Sequence, residues 1–191
     1  MTVAEHNART ARSYKLLLIF AMISIVMLFA GLTSAYVVSK SRRDWLQNFE
    51  LPQTFLWSTI VILLCSVTFF LAKKSIQRDD RKSTSLYLLL TLALGTTFVY
   101  FQLEGFNILF KNNLFPTGSA GSVTISFLYI LVLVHLAHLF GGIISLLIVI
   151  YNHFKQKYNS SQYLGIELGA MYWHFLDFLW IYLFLFLYFF K

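Results

Sequence analysis

Five apolar runs, at roughly 16–39, 54–72, 85–110, 123–151 and 169–190, dominate this chain. Each is about as long as, or longer than, the ~20 residues that a helix needs to cross the hydrocarbon core of a bilayer. Water is absent at that depth, so only helices and closed barrels can satisfy their own backbone groups. No alternating barrel pattern is visible, which leaves helices. The expected fold is therefore all-α: an integral membrane bundle of five transmembrane helices, forming one domain over 1–191. The third and fourth runs have length to spare for tilting or for passing the interface.

Composition narrows the class further. Charged residues make up 12% of the chain, against roughly 25% in a soluble domain. Twenty phenylalanines and eleven tyrosines suit a lipid-facing surface with interfacial belts. Tyr36, Trp45 and Trp57 are expected in the outer belt, and Tyr158 and Tyr163 in the inner one. Cys65 is the only cysteine and lies inside an apolar run, so neither a disulfide framework nor a CxxC motif is available. The first run is too long for a signal-peptide core of ~7–15 residues, and no convincing cleavage site follows it.

The net charge of +7 raises the question of nucleic acid, but its distribution argues for membrane topology and against a nucleic-acid partner. Arg9, Arg12 and Lys15 precede the first run. Lys73, Lys74, Arg78, Arg81 and Lys82 cluster between the second and third, and Lys155 and Lys157 follow the fourth. That side carries ten basic residues; the other side has five, namely Lys40, Arg42, Arg43, Lys111 and Lys191. Basic loops stay inside, so the N-terminus is expected in the cytoplasm and the C-terminus outside.

Ionisable groups inside a span persist only when turned inward, paired or solvated, since each costs at least ~2.5–3.5 kcal/mol at the centre. The third run holds Gln102 and Glu104, and the fourth holds His135 and His138, followed by Gly141 and Gly142. The fifth begins with Glu167, His174 and Asp177, spaced by seven and then three residues, which places them on one helical stripe facing protein. Trp173 and Trp180 lie deep enough that their indole N–H groups need partners. Three readings fit these residues. Histidines on separate helices can ligate haem, but a di-haem site needs about four of them, and only His135, His138 and His174 lie within the runs. Chains of Asp, Glu and His can relay protons, as in transporters, which would be expected to show internal repeats or broken helices. An interhelical hydrogen-bond network that fixes packing asks for nothing more, and is the favoured reading.

The order of these motifs resembles subunit III of the haem-copper oxidases. Glu167-Leu-Gly-Ala-Met-Tyr172-Trp173-His174-Phe175-Leu-Asp177-Phe-Leu-Trp180 is similar to that family's E-x4-YWHFVDVVW signature, and His135-Leu-Ala-His138-Leu-Phe-Gly141-Gly142 to its HxxHVxxG element. Gln102 matches a family glutamine, and Phe29-Ala30-Gly31 with Ala35-Tyr36 a weaker FAG…AF pattern. The resemblance spans about residues 12 to 191 and fits the five-helix bacterial form. Two departures stand out. Longer members read SExFFFAG where this chain has Ser24-Ile25-Val26-Met27-Leu28-Phe29-Ala30-Gly31, so Ile25 takes the place of a glutamate. Glu104 follows Gln102 by two residues where the family often has three.

The resemblance implies a non-catalytic subunit without cofactor or metal of its own, with haem and copper in subunits I and II. It implies direct packing on subunit I, bound phospholipid, support of proton uptake and sustained turnover, and a place in a bacterial cytoplasmic membrane, with a respiratory supercomplex as a further setting. Gln102, His135, His138, Glu167, Trp173, His174 and Asp177 would then form a buried structural network, and Arg78 and Arg81 would meet lipid headgroups. A quinol oxidase, a nitric-oxide-reductase-associated homologue and a stand-alone haem-binding electron carrier are the alternatives.

Overall fold

The computed structural model describes residues 3–42, 45–46, 50–118, 121–160 and 162–190, with side chains from Arg9 onward. Arg43 and Lys191, two of the basic residues counted above, lie outside the described residues. Five helices follow one another: α1 (Val3–Val38), α2 (Gln53–Gln77), α3 (Arg81–Lys111), α4 (Val123–Phe154) and α5 (Leu164–Phe189), with a 3-10 turn at Ser39–Ser41 after α1. All five are long and apolar enough to cross a membrane, and no strand occurs among the described residues. The apolar runs thus mark the right elements but not their ends. Hydropathy reports where hydrocarbon is. The helix itself continues into the polar flanks, where Arg, Lys, Glu and Gln are good helix formers. One consequence concerns His153, placed in a loop by the run boundary but found in the last turn of α4.

Three of the helices stop in the same way, through a residue in the left-handed region: Asp79 (φ 56), Asn113 (φ 58) and Gln156 (φ 57). At the end of α2, the Asp79 N–H donates to the Ile76 carbonyl at 3.0 Å and the Asp80 N–H to that of Ser75 at 3.1 Å. The corresponding pairs recur after α3 and α4, and this double bond is the Schellman termination. Asp80 then opens α3, its carboxylate accepting from the Ser83 N–H at 3.1 Å and the Ser83 hydroxyl at 2.6 Å. Those bonds hold its carboxyl below the usual range. The cap therefore contributes at neutral pH and is lost as pH falls through that lowered value.

α2 pairs most extensively with α3 and also lies against α5; α4 packs on α3 and α5; α1 touches only α5 and α4 to any extent. The core lies among α2 to α5, where Phe55, Phe69, Phe98, Leu88, Trp173 and Trp180 are shielded almost completely. Lipid tails are as apolar as these side chains, so close packing rather than water exclusion holds the helices together. Trp173 shows how. Its ring fills a slot between α3 and α4: a Cβ on Gly95 would come within 3.0 Å of it and one on Gly142 within 3.6 Å. Gly141, by contrast, meets only the Tyr172 hydroxyl, at 3.9 Å. The close approach of α4 to α5 therefore rests on the second glycine of the pair.

α1 buries little. Phe29, Thr33 and Tyr36 form its one buried stripe, in the half near the end opposite the N-terminus. Tyr36 is fully enclosed, edge-on to Trp45, Phe127 and Phe186, with its hydroxyl donating to the Phe190 carbonyl at 3.3 Å. It is thus a packing centre, where the sequence suggested a lipid-facing anchor. The Thr33 and Tyr182 hydroxyls bond at 3.1 Å beside it. Below this contact α1 and α5 leave an apolar cavity of about 290 Å³ lined by Val26, Phe29, Ala30, Phe175, Phe178, Leu179 and Tyr182.

The glycine slot yields a first prediction. Gly142→Leu should overpack the core and lower the thermal stability of the detergent-solubilised protein by about 1–3 kcal/mol. Gly31→Leu, where an added Cβ meets nothing within 4 Å, should be neutral or slightly stabilising. Equal losses in both would show that the α4–α5 contact is not tight.

Candidate functional site

The polar residues of α5 meet three different helices. Glu167, in the first turn, is an ion-pair partner of Lys15 on α1 at 2.8 Å, with Lys73 on α2 at 3.9 Å. It ties down the N-terminal half of α1, where none of the described side chains from residue 9 to 28 is buried. Beside it a cavity of about 670 Å³ opens between α1 and the α4–α5 loop. One helical turn past Ala170, the His174 Nδ1 pairs with the Ser66 hydroxyl of α2 at 2.7 Å. Asp177 is 3% exposed, with Oδ2 3.9 Å from the His174 Nδ1. Neither of its oxygens makes a hydrogen bond among the described residues. The Trp180 indole N–H donates to the Thr59 hydroxyl of α2 at 3.0 Å. The Trp173 N–H finds no acceptor among the described residues.

The two histidines of α4 diverge. Three residues apart, they differ by about 60° around the helix axis. His135 is wholly buried between α3 and α5, with its ring centroid 6.0 Å from that of Phe98 and 5.1 Å from that of Trp180. Neither of its nitrogens has a hydrogen-bond partner among the described residues. His138 turns toward α1, 5.9 Å from the Phe29 ring, and its Nδ1 lies 2.7 Å from the Val134 carbonyl one turn back. Its own carbonyl accepts from the Tyr172 hydroxyl at 3.1 Å. On α3, the fully buried Gln102 donates from Nε2 to the Ser58 hydroxyl of α2 at 2.8 Å. Glu104 is turned away from it and accepts from the Asn107 amide at 3.3 Å.

The named residues therefore do not form one connected network. They form separate bridges, most of them ending on α2. Sequence reasoning singled out no residue of that helix as polar machinery, yet Ser58, Thr59 and Ser66 are the partners of Gln102, Trp180 and His174. The available signal was the presence of hydroxyls inside an apolar run. His153 belongs with them: its Nε2 lies 2.9 Å from the Ser85 hydroxyl and 3.3 Å from the Arg81 carbonyl, closing α4 against α3. Asp79 likewise binds both the N–H and the hydroxyl of Ser160, at 2.9 and 2.8 Å, tying the α2–α3 turn to the α4–α5 loop. Arg78 and Arg81 stand exposed at that same turn.

Chemically, this arrangement holds helices together. His135, His138 and His174 have different neighbours and face different helices, so no facing pair is available to a haem. Among the described residues, no three of the His, Cys, Asp and Glu side chains gather as a metal site.

A family model described as cytochrome c oxidase subunit III matches residues 2–191. The chain belongs to that family. It is 31% identical over 171 residues to the cytochrome bo(3) ubiquinol oxidase subunit 3 of Buchnera aphidicola subsp. Schizaphis graminum, covering 87% of this chain and 88% of that protein. The cytochrome c oxidase subunit 3 of Thermostichus vulcanus is 28% identical, over 97% of this chain and 92% of its own length. That of Pelomedusa subrufa is 32% identical over 75% of this chain, which spans only 51% of it. The subunit III family does not carry the redox centres, which sit in subunits I and II. Its place is among the other subunits of a haem-copper oxidase, in a membrane.

The α5–α2 bridges can be tested singly. Thr59→Val is expected to leave the Trp180 N–H buried without an acceptor and to cost about 1–3 kcal/mol, read as a lowered unfolding midpoint in mild detergent. Thr59→Ser, which keeps the hydroxyl, should recover most of the loss. Failure of serine to rescue would locate the effect in packing of the threonine methyl.

Proposed function

We propose that this chain is the non-catalytic subunit III of a bacterial haem-copper terminal oxidase, packed directly on subunit I beside subunit II, and that it supports proton uptake and sustained turnover by its partners during oxygen reduction. The observation that carries the reading is that the polar residues of the family signature on α5 engage this bundle's own helices: Glu167 with Lys15 and Lys73, His174 with Ser66, Trp180 with Thr59. Such residues shape a scaffold. Gln102, His135, His138, Glu167, Trp173, His174 and Asp177 have structural roles here, and the haem and copper belong to the partner subunits.

In this reading the chain lies in a bacterial cytoplasmic membrane, and the excess of basic residues on one side supports a cytoplasmic N-terminus and an outer C-terminus. Arg78 and Arg81, exposed at the α2–α3 turn, then lie at the cytoplasmic surface, where anionic headgroups give roughly 1 kcal/mol per basic residue. The relatives that match this chain in length include a ubiquinol oxidase subunit and a cytochrome c oxidase subunit. Choice of electron donor accordingly belongs to other subunits of the complex.

Purification of this chain from native membranes in mild detergent should bring haem bands with it, carried by larger subunits and lost when those are stripped away. Haem retained on the isolated 22.2 kDa chain would overturn the reading and make the three intramembrane histidines ligands. Glu167→Ala removes the ion pair that holds α1. It is expected to reduce the amount of this subunit retained per haem while leaving the reduced-minus-oxidised spectrum of the remaining oxidase unchanged.

A further inference from the structure

α3 begins and α4 ends on the same side of the bundle, and His153 joins them there. It is 6% exposed, in the last turn of α4. Its Nε2 lies 2.9 Å from the Ser85 hydroxyl and 3.3 Å from the Arg81 carbonyl. These contacts fix where the ring carries its proton. The Ser85 hydroxyl donates its single proton to the Arg81 carbonyl, 3.0 Å away, so its oxygen is left to accept from the ring. A carbonyl can only accept. Both partners therefore face Nε2–H, and the neutral ring has its bare nitrogen at Nδ1. That nitrogen is buried and has no hydrogen-bond partner among the described residues.

A second proton is poorly received. On Nδ1 it would make a buried donor without an acceptor and a buried positive charge. The charged group that acts on the ring from α3 is the Arg81 guanidinium, which repels such a charge; among the described residues no carboxylate offsets it. The remaining charges at this end are engaged or exposed. Lys155 of α4 lies over the Tyr151 ring, Asp79 of the α2–α3 turn binds Ser160, and Asp80 binds Ser83. Lys74 and Arg78 of the α2 end, Lys82 of α3 and Lys157 of the α4–α5 loop are exposed.

From this geometry we infer that His153 is an acid-sensitive latch: neutral, it holds the end of α4 against the start of α3 through Ser85 and Arg81, and protonation releases it into water. The inference concerns this chain alone and does not rest on its assignment to an oxidase. Once released, the ring takes up a proton near the ordinary histidine value of about 6.5. The latch keeps its full strength above that value and weakens as pH falls below it, the released form gaining by as much as about tenfold per pH unit. In the orientation proposed above, the pH it meets is that of the cytoplasm.

The test is a distance between two spin labels, carried by the single-cysteine substitutions Lys82→Cys and Lys155→Cys in the full chain; the native Cys65 is buried. The protein is purified in mild detergent with whatever subunits accompany it, returned to bilayers and measured by pulsed electron paramagnetic resonance at about pH 7.5 and about pH 5.5, on either side of the histidine range. The label distance is expected to lengthen and broaden at the lower pH. In His153→Gln, whose amide N–H replaces Nε2–H but does not titrate, it should stay the same at both. A lengthening of equal size in His153→Gln, or none in the parent, would overturn the latch. Ser85→Ala gives a check that needs no change at the histidine: with the hydroxyl gone, the distance should already be broadened at about pH 7.5. A distribution as narrow as that of the parent would show that the contact does not hold these helix ends.

Discussion

A bilayer interior supplies no hydrogen bonds, and the arrangement of this bundle follows from where its few polar side chains find them. Tryptophan, glutamine and histidine within the spans all need partners at depths where water is missing. Here the partners are mostly the small hydroxyls of α2. Ser58 takes Gln102 from α3, while Thr59 and Ser66 take Trp180 and His174 from α5. α2 is thereby fixed between two neighbours in both rotation and depth, since a slip of one residue would carry each hydroxyl about 100° away from its partner. Individually such bonds are modest, averaging ~0.6 kcal/mol in a measured membrane bundle. Their value is in selecting one register among many apolar alternatives of similar packing energy.

Close packing then does what hydrogen bonds cannot. The Trp173 ring fits only because Gly95 and Gly142 offer no side chain where it lies. Gly169 does the same for Val149 and Phe69, at 3.3 and 3.4 Å. α5 is consequently seated against three helices at once. α1 has no such seat. It is held by the aromatic group around Tyr36 at one end and by the Lys15–Glu167 pair at the other. Between these lies the apolar cavity, with the buried Phe29 on its wall.

Much of this was legible in the sequence, for a physical reason. Five runs of hydropathy suffice to give five helices, because the membrane allows little else. The helix ends were less legible: α1 extends to Val3 and α4 to Phe154, past what the apolar runs mark, since helix propensity survives where hydrophobicity stops. Glu167, His174 and Asp177 could be placed on one stripe by spacing alone. Their partners could not be named that way. Serine and threonine are inexpensive in a membrane helix, because they can bond to their own backbone one turn back, as Thr59 does to Phe55 at 2.8 Å. A hydroxyl that bridges helices therefore looks, in sequence, like one that does not. The separate fates of His135 and His138 were not legible either. Three residues apart, they differ by about 60° around the helix, enough to send the first into the core and the second toward α1.

The substitution at Ile25 is consistent with the same logic. In longer members of the family this position resembles a buried glutamate site, and an acid there needs donors or water. In this chain Ile25 is partly buried on α1 and packs against the core, one residue before Val26 and one turn before Phe29, which line the apolar cavity. The polar group nearest in that lining is the Tyr182 hydroxyl, already bonded to Thr33. A carboxylate in place of Ile25 would need a donor or water, since an uncompensated charge in hydrocarbon is costly. A form of the subunit that keeps the acid must also keep groups to solvate it, for an ionised side chain persists in a span only when paired or solvated.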